Sequence, residues 1–364
     1  MSSTSEAIRV ESLRREFDAT TAVDGLSFAV EEGELFGLLG PNGAGKSTLI
    51  NMLCTLLAPT GGTASVAGHD VRTDTAGVRD SIGIVFQEPA LDEELTAEEN
   101  LAFHARLYGL DRAERAERIG EVLALVDLVD ERDTLVKQFS DGMKRRLEIA
   151  RGLVHRPAVL FLDEPTLGLD AGTRRDTWAY IRRLNDEAGV TVVLTTHYMD
   201  EADQLCDRVA VVDSGRIVAL DAPQALKDDL GGDVISVELA DGDDADRLTA
   251  ALRDRPWVAS VEETADGLAV TVERGETKIP ALVGVAADVG ATVTAVGLHS
   301  PTLETVFLSL TGTTMAESAE PDASSEASES DDSGSLERSD SFDGRDGRVG
   351  RDGATAATAA EGDE

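Results

Sequence analysis

The apolar positions of this chain change period several times, and the changes mark its elements. Residues 35–39 (LFGLL) form a continuous apolar run that stops at Gly40, and residues 158–162 (AVLFL) form a second that stops at Asp163-Glu164-Pro165. A third, residues 190–195, leads into Thr196-His197. Short apolar runs bounded by turn residues predict strands buried on both faces. Residues 7–14 alternate apolar and polar like a half-buried strand, residues 22–30 predict a strand closed by Glu31-Glu32-Gly33, and 63–71, with Gly68 inside, predict a short strand pair. Residues 81–87 predict another strand, and 209–212 and 216–219 a hairpin about Asp213-Ser214-Gly215.

Between these runs the period lengthens to that of a helix. Residues 46–57 predict one helix. Thr96-Ala97-Glu98-Glu99 has the form of a capping box opening a second, carried through Leu101, Leu107 and Tyr108 and stopped by Gly109. Residues 112–126, with dense opposite charges, 140–151 and 173–187 predict three more. Strands alternating with helices imply a mostly parallel, doubly wound sheet, here with a helical insertion over about 88–157. Past residue 231 the order is strand 234–239, helix 244–253, strands 257–264 and 268–273 about Asp266-Gly267, helix 277–289 and strand 291–298. That β-α-β-β-α-β order is ferredoxin-like, with a last helix at 301–310 expected to close it. His299 stands there without a catalytic cluster around it.

Composition adds two things. Beyond Gly312 the chain is Ser, Asp, Glu, Ala and Gly with almost no large apolar residue, so a disordered acidic tail is expected over 313–364. The formal net charge is −37, and of 33 basic residues only Lys46, Lys137, Lys144, Lys227 and Lys278 are lysines. Acid-rich, lysine-poor surfaces keep proteins dispersed in strong salt, which screens their self-repulsion. The expectation is a salt-adapted, halophilic source. Such acidity also disfavours nucleic acid as a partner, since phosphates are repelled. Cys54 and Cys206 are too few for a disulfide framework or metal cluster and are expected as buried free thiols. Residues 1–6 are polar without a signal pattern, and no apolar run approaches the ~18 residues of a bilayer span. A cytoplasmic protein is expected, with any membrane spans supplied by another chain.

The candidate chemistry begins at Gly40-Pro41-Asn42-Gly43-Ala44-Gly45-Lys46-Ser47-Thr48, which fits the phosphate loop G-x-x-x-x-G-K-[ST] in its strand–loop–helix setting. Gly40, Gly43 and Gly45 permit positive φ and close approach of backbone to ligand. The amides from Asn42 to Thr48 then converge on phosphate oxygens at a helix N-terminus. Lys46 brings a cation to the β- and γ-phosphates, and the Ser47 hydroxyl a ligand for Mg²⁺. Asp163, ending an apolar strand in the same core, suits Mg²⁺ through its water shell. Glu164 beside it suits a general base for water. Ser140 has the form of an N-cap, and the helix start Ser140-Asp141-Gly142 is either that cap alone or a second phosphate-binding end.

Taken in order, these stretches resemble the nucleotide-binding subunit of an ABC transporter over roughly residues 7–225. The segments that carry the resemblance are GPNGAGKST, Gln87 as Q-loop, FSDGM as signature, VLFLDEP as Walker B, Gly168-Leu169-Asp170 as D-loop and His197 as switch. RRLEIARGL, DEPTLGLD, TTHYMDEAD and PTLETVFLSLTG look like the drug- and antibiotic-resistance export branch. The resemblance implies ATP and Mg²⁺, and a head-to-tail homodimer in which each phosphate loop faces the partner's Ser140, Gly142 and Asp170. It implies that Phe17 stacks on adenine, an ordinary core phenylalanine being the alternative. It also implies that His197 contacts the γ-phosphate, and that Gln87 senses it and joins the Mg²⁺ shell. The family carries Gly where Asp141 stands; a carboxylate aimed at the phosphate would repel it, so Asp141 is expected to point away.

The fold expected is therefore α/β: an ABC-type P-loop core over 1–230 with a helical subdomain, a small α+β domain over 231–312, and the tail. The function expected is ATP hydrolysis that energises a separate membrane permease in drug or lipid-like efflux. A soluble ABC ATPase acting on ribosomes or DNA is the alternative; it usually carries two cassettes or a long coiled-coil insertion, and neither is present. A regulatory module without turnover is disfavoured by Glu164 and His197.

Overall fold

The computed structural model describes residues 5–18, 20–87, 90–229, 232–240, 243–264 and 267–312; the expected tail over 313–364 lies outside the described residues. The first region holds strands β1 (Glu6–Phe17), β2 (Thr20–Glu31) and β3 (Leu35–Leu39), helix α1 (Lys46–Leu53), strands β4 (Gly61–Val66) and β5 (His69–Asp70), helix α2 (Thr75–Ser81) and strand β6 (Ile82–Val85). Helices α3 (Ala97–Leu107), α4 (Arg112–Leu125) and α5 (Asp141–Leu153) follow, then β7 (Val159–Asp163), α6 (Ala171–Ala188), β8 (Thr191–Thr196), α7 (Met199–Leu205), β9 (Arg208–Asp213), β10 (Arg216–Asp221) and α8 (Pro223–Asp228).

The central sheet has the order β10-β9-β3-β8-β7-β6, parallel except for the antiparallel edge strand β10. Its period of two is visible in the cores on its faces. Leu35 and Leu39 of β3 join one hydrophobic cluster, and Phe36 and Leu38 the other. Val159 and Phe161 of β7 face with Phe36, while Leu160 and Leu162 face with Leu35. Burying such a side chain on either face stabilises by roughly 1.5–3 kcal/mol each. One face is covered by α1 and the antiparallel sheet β2-β1-β4-β5, the other by helices of the insertion together with α6 and α7.

Because the strands run parallel, the C-terminal ends of β3, β6, β7 and β8 reach the same edge of the sheet. Ligands of open α/β sheets bind outside such ends. Leu39 pairs with Thr196 and Asp163 with Thr195, so the phosphate loop, the acidic pair Asp163-Glu164 and His197 leave the sheet side by side.

The last region holds β11 (Asp233–Leu239), α9 (Asp243–Arg253), β12 (Val258–Thr264), β13 (Gly267–Val272), α10 (Gly275–Asp288), β14 (Val293–His299) and α11 (Leu303–Thr311). Its sheet is antiparallel with order β12-β13-β11-β14 and its own apolar core. That is the ferredoxin-like arrangement which the element order predicts. Helix α11 does not close this sheet: Leu303, Val306 and Phe307 are buried in the cassette cluster with Leu205 and Leu226. Its apolar face packs there against α7 and α8.

Two other expectations shift. Helix α1 ends at Leu53, not at residue 57, because Thr55 takes positive φ and the amides of Leu56 and Leu57 both turn back to Asn51 O. Helices α2, α7 and α8, of six or seven residues, are present where no helix is predicted.

Candidate functional site

A cleft of about 450 Å³ opens at that edge of the central sheet, lined by Asn42, Gly43 and Gly45 through Thr48 and by Gln87, Glu164 and His197. The loop is held open from beneath. Gly45 has φ 99°, and a Cβ there would run into Ala22 O; a Cβ at Gly40 would run into Val212 O. Glycine is therefore required for packing against the neighbouring backbone as well as for approach to a ligand. Gly40 N donates to Thr196 O at 3.3 Å, and Ala44 N to Pro41 O at 3.3 Å. These two residues support the loop from below and do not line the cleft.

Helix α1 starts at Lys46 with Gly45 as N-cap, no side-chain cap and no acid in its first turn. Its first amides keep their positive end for a ligand. Lys46 Nζ donates to Gly40 O (2.7 Å) and Pro41 O (2.9 Å). Burial lowers its pKa, while Glu164 and Asp163 oppose that shift. The ammonium is thus held in the cleft by the loop's own carbonyls, where a phosphate could replace them.

The acidic side is equally connected. Thr195 Oγ1 donates to Asp163 Oδ1 at 2.5 Å, and Glu164 N donates to Thr195 Oγ1 at 3.0 Å. Ser47 Oγ lies 3.3 Å from Asp163 Oδ1, across from the phosphate loop. Glu164 adopts φ 47°, rare for its type, which turns its side chain to His197: Oε1 lies 3.2 Å from Nδ1. Strain of this kind clusters at functional sites. Ser47 Oγ, Asp163 Oδ1 and the side-chain oxygen of Gln87 make an all-oxygen donor set, which suits Mg²⁺.

The remaining site residues stand apart. Phe17, at the end of β1, is 42% exposed, with the Arg15 guanidinium 4.4 Å over its ring; it is neither in the core nor in the cleft lining. The core alternative therefore fails. Ser140 caps α5, accepting from Met143 N at 3.3 Å. Ser140 and Gly142 line a different pocket, of about 580 Å³, with Arg146, Thr173 and Tyr180. Asp170 caps α6, accepting from Gly172 N (2.9 Å), Thr173 N (3.2 Å) and Thr173 Oγ1 (2.6 Å), and the Thr173 hydroxyl leads in holding its carboxyl below the usual range. Asp141 is exposed and opens on a third groove with Gln87, Glu164 and Gly168, away from the pocket of Ser140 and Gly142.

Sequence reasoning passes over Arg145. Its guanidinium, buried within α5, donates to Pro165 O (2.7 Å), Phe86 O (2.8 Å) and the carbonyls of Asp163 and Glu164 (3.2 Å each). It thereby fixes the backbone on both acidic and Gln87 sides of the cleft. Burial lowers its pKa against the attraction of Glu148, 3.8 Å away. The spacing Arg145…Glu148 inside an apolar helical face is the signal that could have found it.

Known proteins resemble this chain in sequence and in fold. Residues 23–167 match the model of the ABC transporter family. The chain is 41% identical over 332 residues to the daunorubicin/doxorubicin resistance ATP-binding protein DrrA of Streptomyces peucetius, covering 88% of this chain and 97% of that one. It is 37% identical over 312 residues to the linearmycin resistance ATP-binding protein LnrL of Bacillus subtilis, covering 85% and 100%. Among solved structures, cbiO1 of Clostridium perfringens superposes with a TM-score of 0.58 at 31% identity over 61% of this chain and 90% of that one. A dimeric ATP-binding cassette in a post-hydrolysis state bound to ADP and Pi superposes with 0.53 at 27% identity, over 59% and 98%. The chain belongs to the ABC transporter family, as an ATP-binding, ATP-hydrolysing subunit of the daunorubicin-resistance type.

Proposed function

We propose that this chain drives export of drugs or lipid-like amphipaths through a separate membrane permease, from the cytoplasmic face of the membrane. The observation that carries the reading is the 3.2 Å contact of Glu164 with His197 in the cleft that Lys46, Ser47 and Gln87 also line. The relatives' names, daunorubicin/doxorubicin resistance and linearmycin resistance, support the drug part of that substrate class. No helix among the described residues is long and apolar enough to cross a membrane. Phe103 and Leu107 of α3, 57% and 67% exposed, offer the permease an apolar face beyond Gln87.

In this reading the amides of residues 42–48 and Lys46 bind the phosphates of ATP, and Phe17 moves from Arg15 to the adenine. Ser47, Asp163 and Gln87 hold Mg²⁺, which supplies charge neutralisation on the phosphates when bound. Glu164 takes a proton from the attacking water, and His197 holds both Glu164 and the γ-phosphate in line. Ser140, Gly142 and Asp170 serve the nucleotide of a second copy, head to tail, which accounts for their distance from the cleft of their own chain. Residues 231–312 form an accessory domain, and the charge of −37 adapts the surface to strong salt. Circular dichroism should then show better folding in molar KCl than in dilute buffer; equal thermal stability in both refutes the halophilic reading.

The mechanism is tested by Glu164→Gln, which keeps size and reach but removes the basic oxygen. Hydrolysis should fall by ~10²-fold or more while ATP affinity persists. The ATP-bound form should accumulate as a dimer in size-exclusion chromatography with Mg-ATP in high salt. A variant that stays monomeric and turns over at the parent rate removes Glu164 from the mechanism.

A further inference from the structure

Helix α7 begins directly after His197 and Tyr198, and its third residue, Glu201, is fully buried. Glutamate is almost never buried unless paired. Among the described residues Glu201 has no cation within ion-pair distance. What it does have is two neutral donors on one oxygen: Thr166 Oγ1 at 2.8 Å and Trp178 Nε1 at 2.9 Å, both to Oε1. Burial pushes its carboxyl up; the hydrogen bonds of Thr196, Thr166 and Trp178 oppose this, and the charge of Arg174 on α6 opposes it least. A carboxyl kept here against that cost calls for a role which an apolar side chain cannot fill.

The partners indicate the role. Thr166, also fully buried, lies in the five-residue loop between Glu164 and Asp170. The loop is folded tightly around it, with Leu167 N donating to Glu164 O and Leu169 N to Thr166 O, each at 3.2 Å. Trp178 belongs to α6, the helix that Asp170 caps. Glu201 therefore joins three pieces: the helix that follows His197, the loop that follows Glu164, and the helix that this loop opens. On the other side of His197, Thr195 Oγ1 already joins β8 to Asp163 and Glu164. The segment 195–201 is thus anchored to the 163–170 segment at both ends, with the Glu164–His197 contact in the middle.

We propose that Glu201 is a positioning residue for hydrolysis: through Thr166 and Trp178 it fixes His197 against Glu164 and ties both to the D-loop at Gly168-Leu169-Asp170. An acceptor oxygen is what the role needs, not a charge. The proposal rests on the reading of Glu164 and His197 as the hydrolytic pair.

The test compares Glu201→Gln, Glu201→Leu, Thr166→Val and the pair Thr166→Val/Glu201→Leu in the full chain, with Lys46→Met as control, measuring kcat and KM for ATP in high salt. E201Q keeps its Oε1 and should turn over within ~3-fold of the parent. E201L and T166V should each lose ~10-fold in kcat with KM moved less than ~2-fold, the pattern of an interaction made in the transition state. The double variant should be no slower than E201L, since both changes break the same link. The proposal is overturned if T166V or E201L turns over at the parent rate, if KM rises in step with lost turnover, or if the two effects multiply. Loss in E201Q equal to that in E201L overturns the claim that an acceptor suffices. Should E201L fail to fold, T166V against T166V/E201Q decides. Full turnover in K46M would mean that the reading of the cleft itself had failed, whatever Glu201 does.

Discussion

Two helix N-termini in this chain, one at the phosphate loop and one that we propose serves a second copy's nucleotide, are built differently. At α1 the N-cap is Gly45 with φ 99°, no side chain caps the turn, and no acid stands in it. At α5 the N-cap is Ser140, whose oxygen already accepts from Met143 N, and Asp141 fills the first turn with a negative charge. Every helix start leaves four amides to be satisfied. The first end leaves them to a ligand, adds a buried lysine and sits in a cleft with acids to work on it. The second satisfies part of its demand from its own sequence and lies in a separate pocket. The first can bind a triphosphate within one chain. The second has part of its demand met by its own cap, and in the proposed pairing it would contribute only to a nucleotide carried on another surface. If two copies close head to tail as proposed, this division would give closure an energetic reason, since neither end would be complete without the other.

The largest effect should come from the uncapped end. Lys46→Met removes the ammonium but keeps the length of a buried apolar stem, so the fold should survive. Turnover should fall by ~10²–10³-fold, the scale of one lost electrostatic contact to a developing charge. ATP binding by the isolated chain should weaken as well, which equilibrium dialysis would report. Turnover within ~3-fold of the parent would mean that the amides suffice and would erase the distinction between the two ends.

Next comes the capped end. Ser140→Ala removes a cap worth ~1 kcal/mol of stability. It should lower turnover by ~10-fold if, as proposed, the hydroxyl also serves the second copy's nucleotide. The sharpening result is in binding: ATP affinity of the isolated chain should be unchanged, in contrast to Lys46→Met. If affinity falls in both, the two ends act on one nucleotide within a chain.

How far the sequence discloses this contrast depends on where each signal is local. The phosphate loop, the strand ending at Asp163 and the cap at Ser140 are legible because each is a short pattern with its own geometry. The sheet order of residues 233–299 follows from element order and alternation. Arg145 and Glu201 are not legible in the same way. Charged residues read as surface by default, and only the tertiary structure places Arg145 against four carbonyls and Glu201 under Thr166 and Trp178. Helix α7 escapes for a related reason: seven residues span under two turns, too short for a period to declare itself. The docking of α11 on the cassette is likewise a tertiary outcome, because an amphipathic pattern shows that a face is buried and not which surface buries it.

The smallest effect is expected at Asp141, and its two parts have opposite signs. As the first residue of α5, Asp141 places a carboxylate at the positive end of the helix, a stabilising contact of roughly 0.3–1 kcal/mol. Asp141→Gly loses that contact and gains backbone freedom in the unfolded chain, so stability should fall by ~1 kcal/mol. Catalysis should move the other way. The carboxylate is exposed and opens toward Gln87 and Glu164, not into the pocket of Ser140 and Gly142, so its repulsion of an incoming γ-phosphate is weak but unfavourable. Turnover should be unchanged or rise by less than ~10-fold. Salt separates this from a packing effect: any gain should be larger near 0.1 M salt, where screening acts over ~10 Å, than at 1 M, where it acts over ~3 Å. Steady-state turnover of parent and variant across that range, beside their melting temperatures, makes the measurement. A ~10-fold loss of kcat in Asp141→Gly would show that the acid has a working role at the capped end, and the difference between the two helix ends would then be one of function as well as strength.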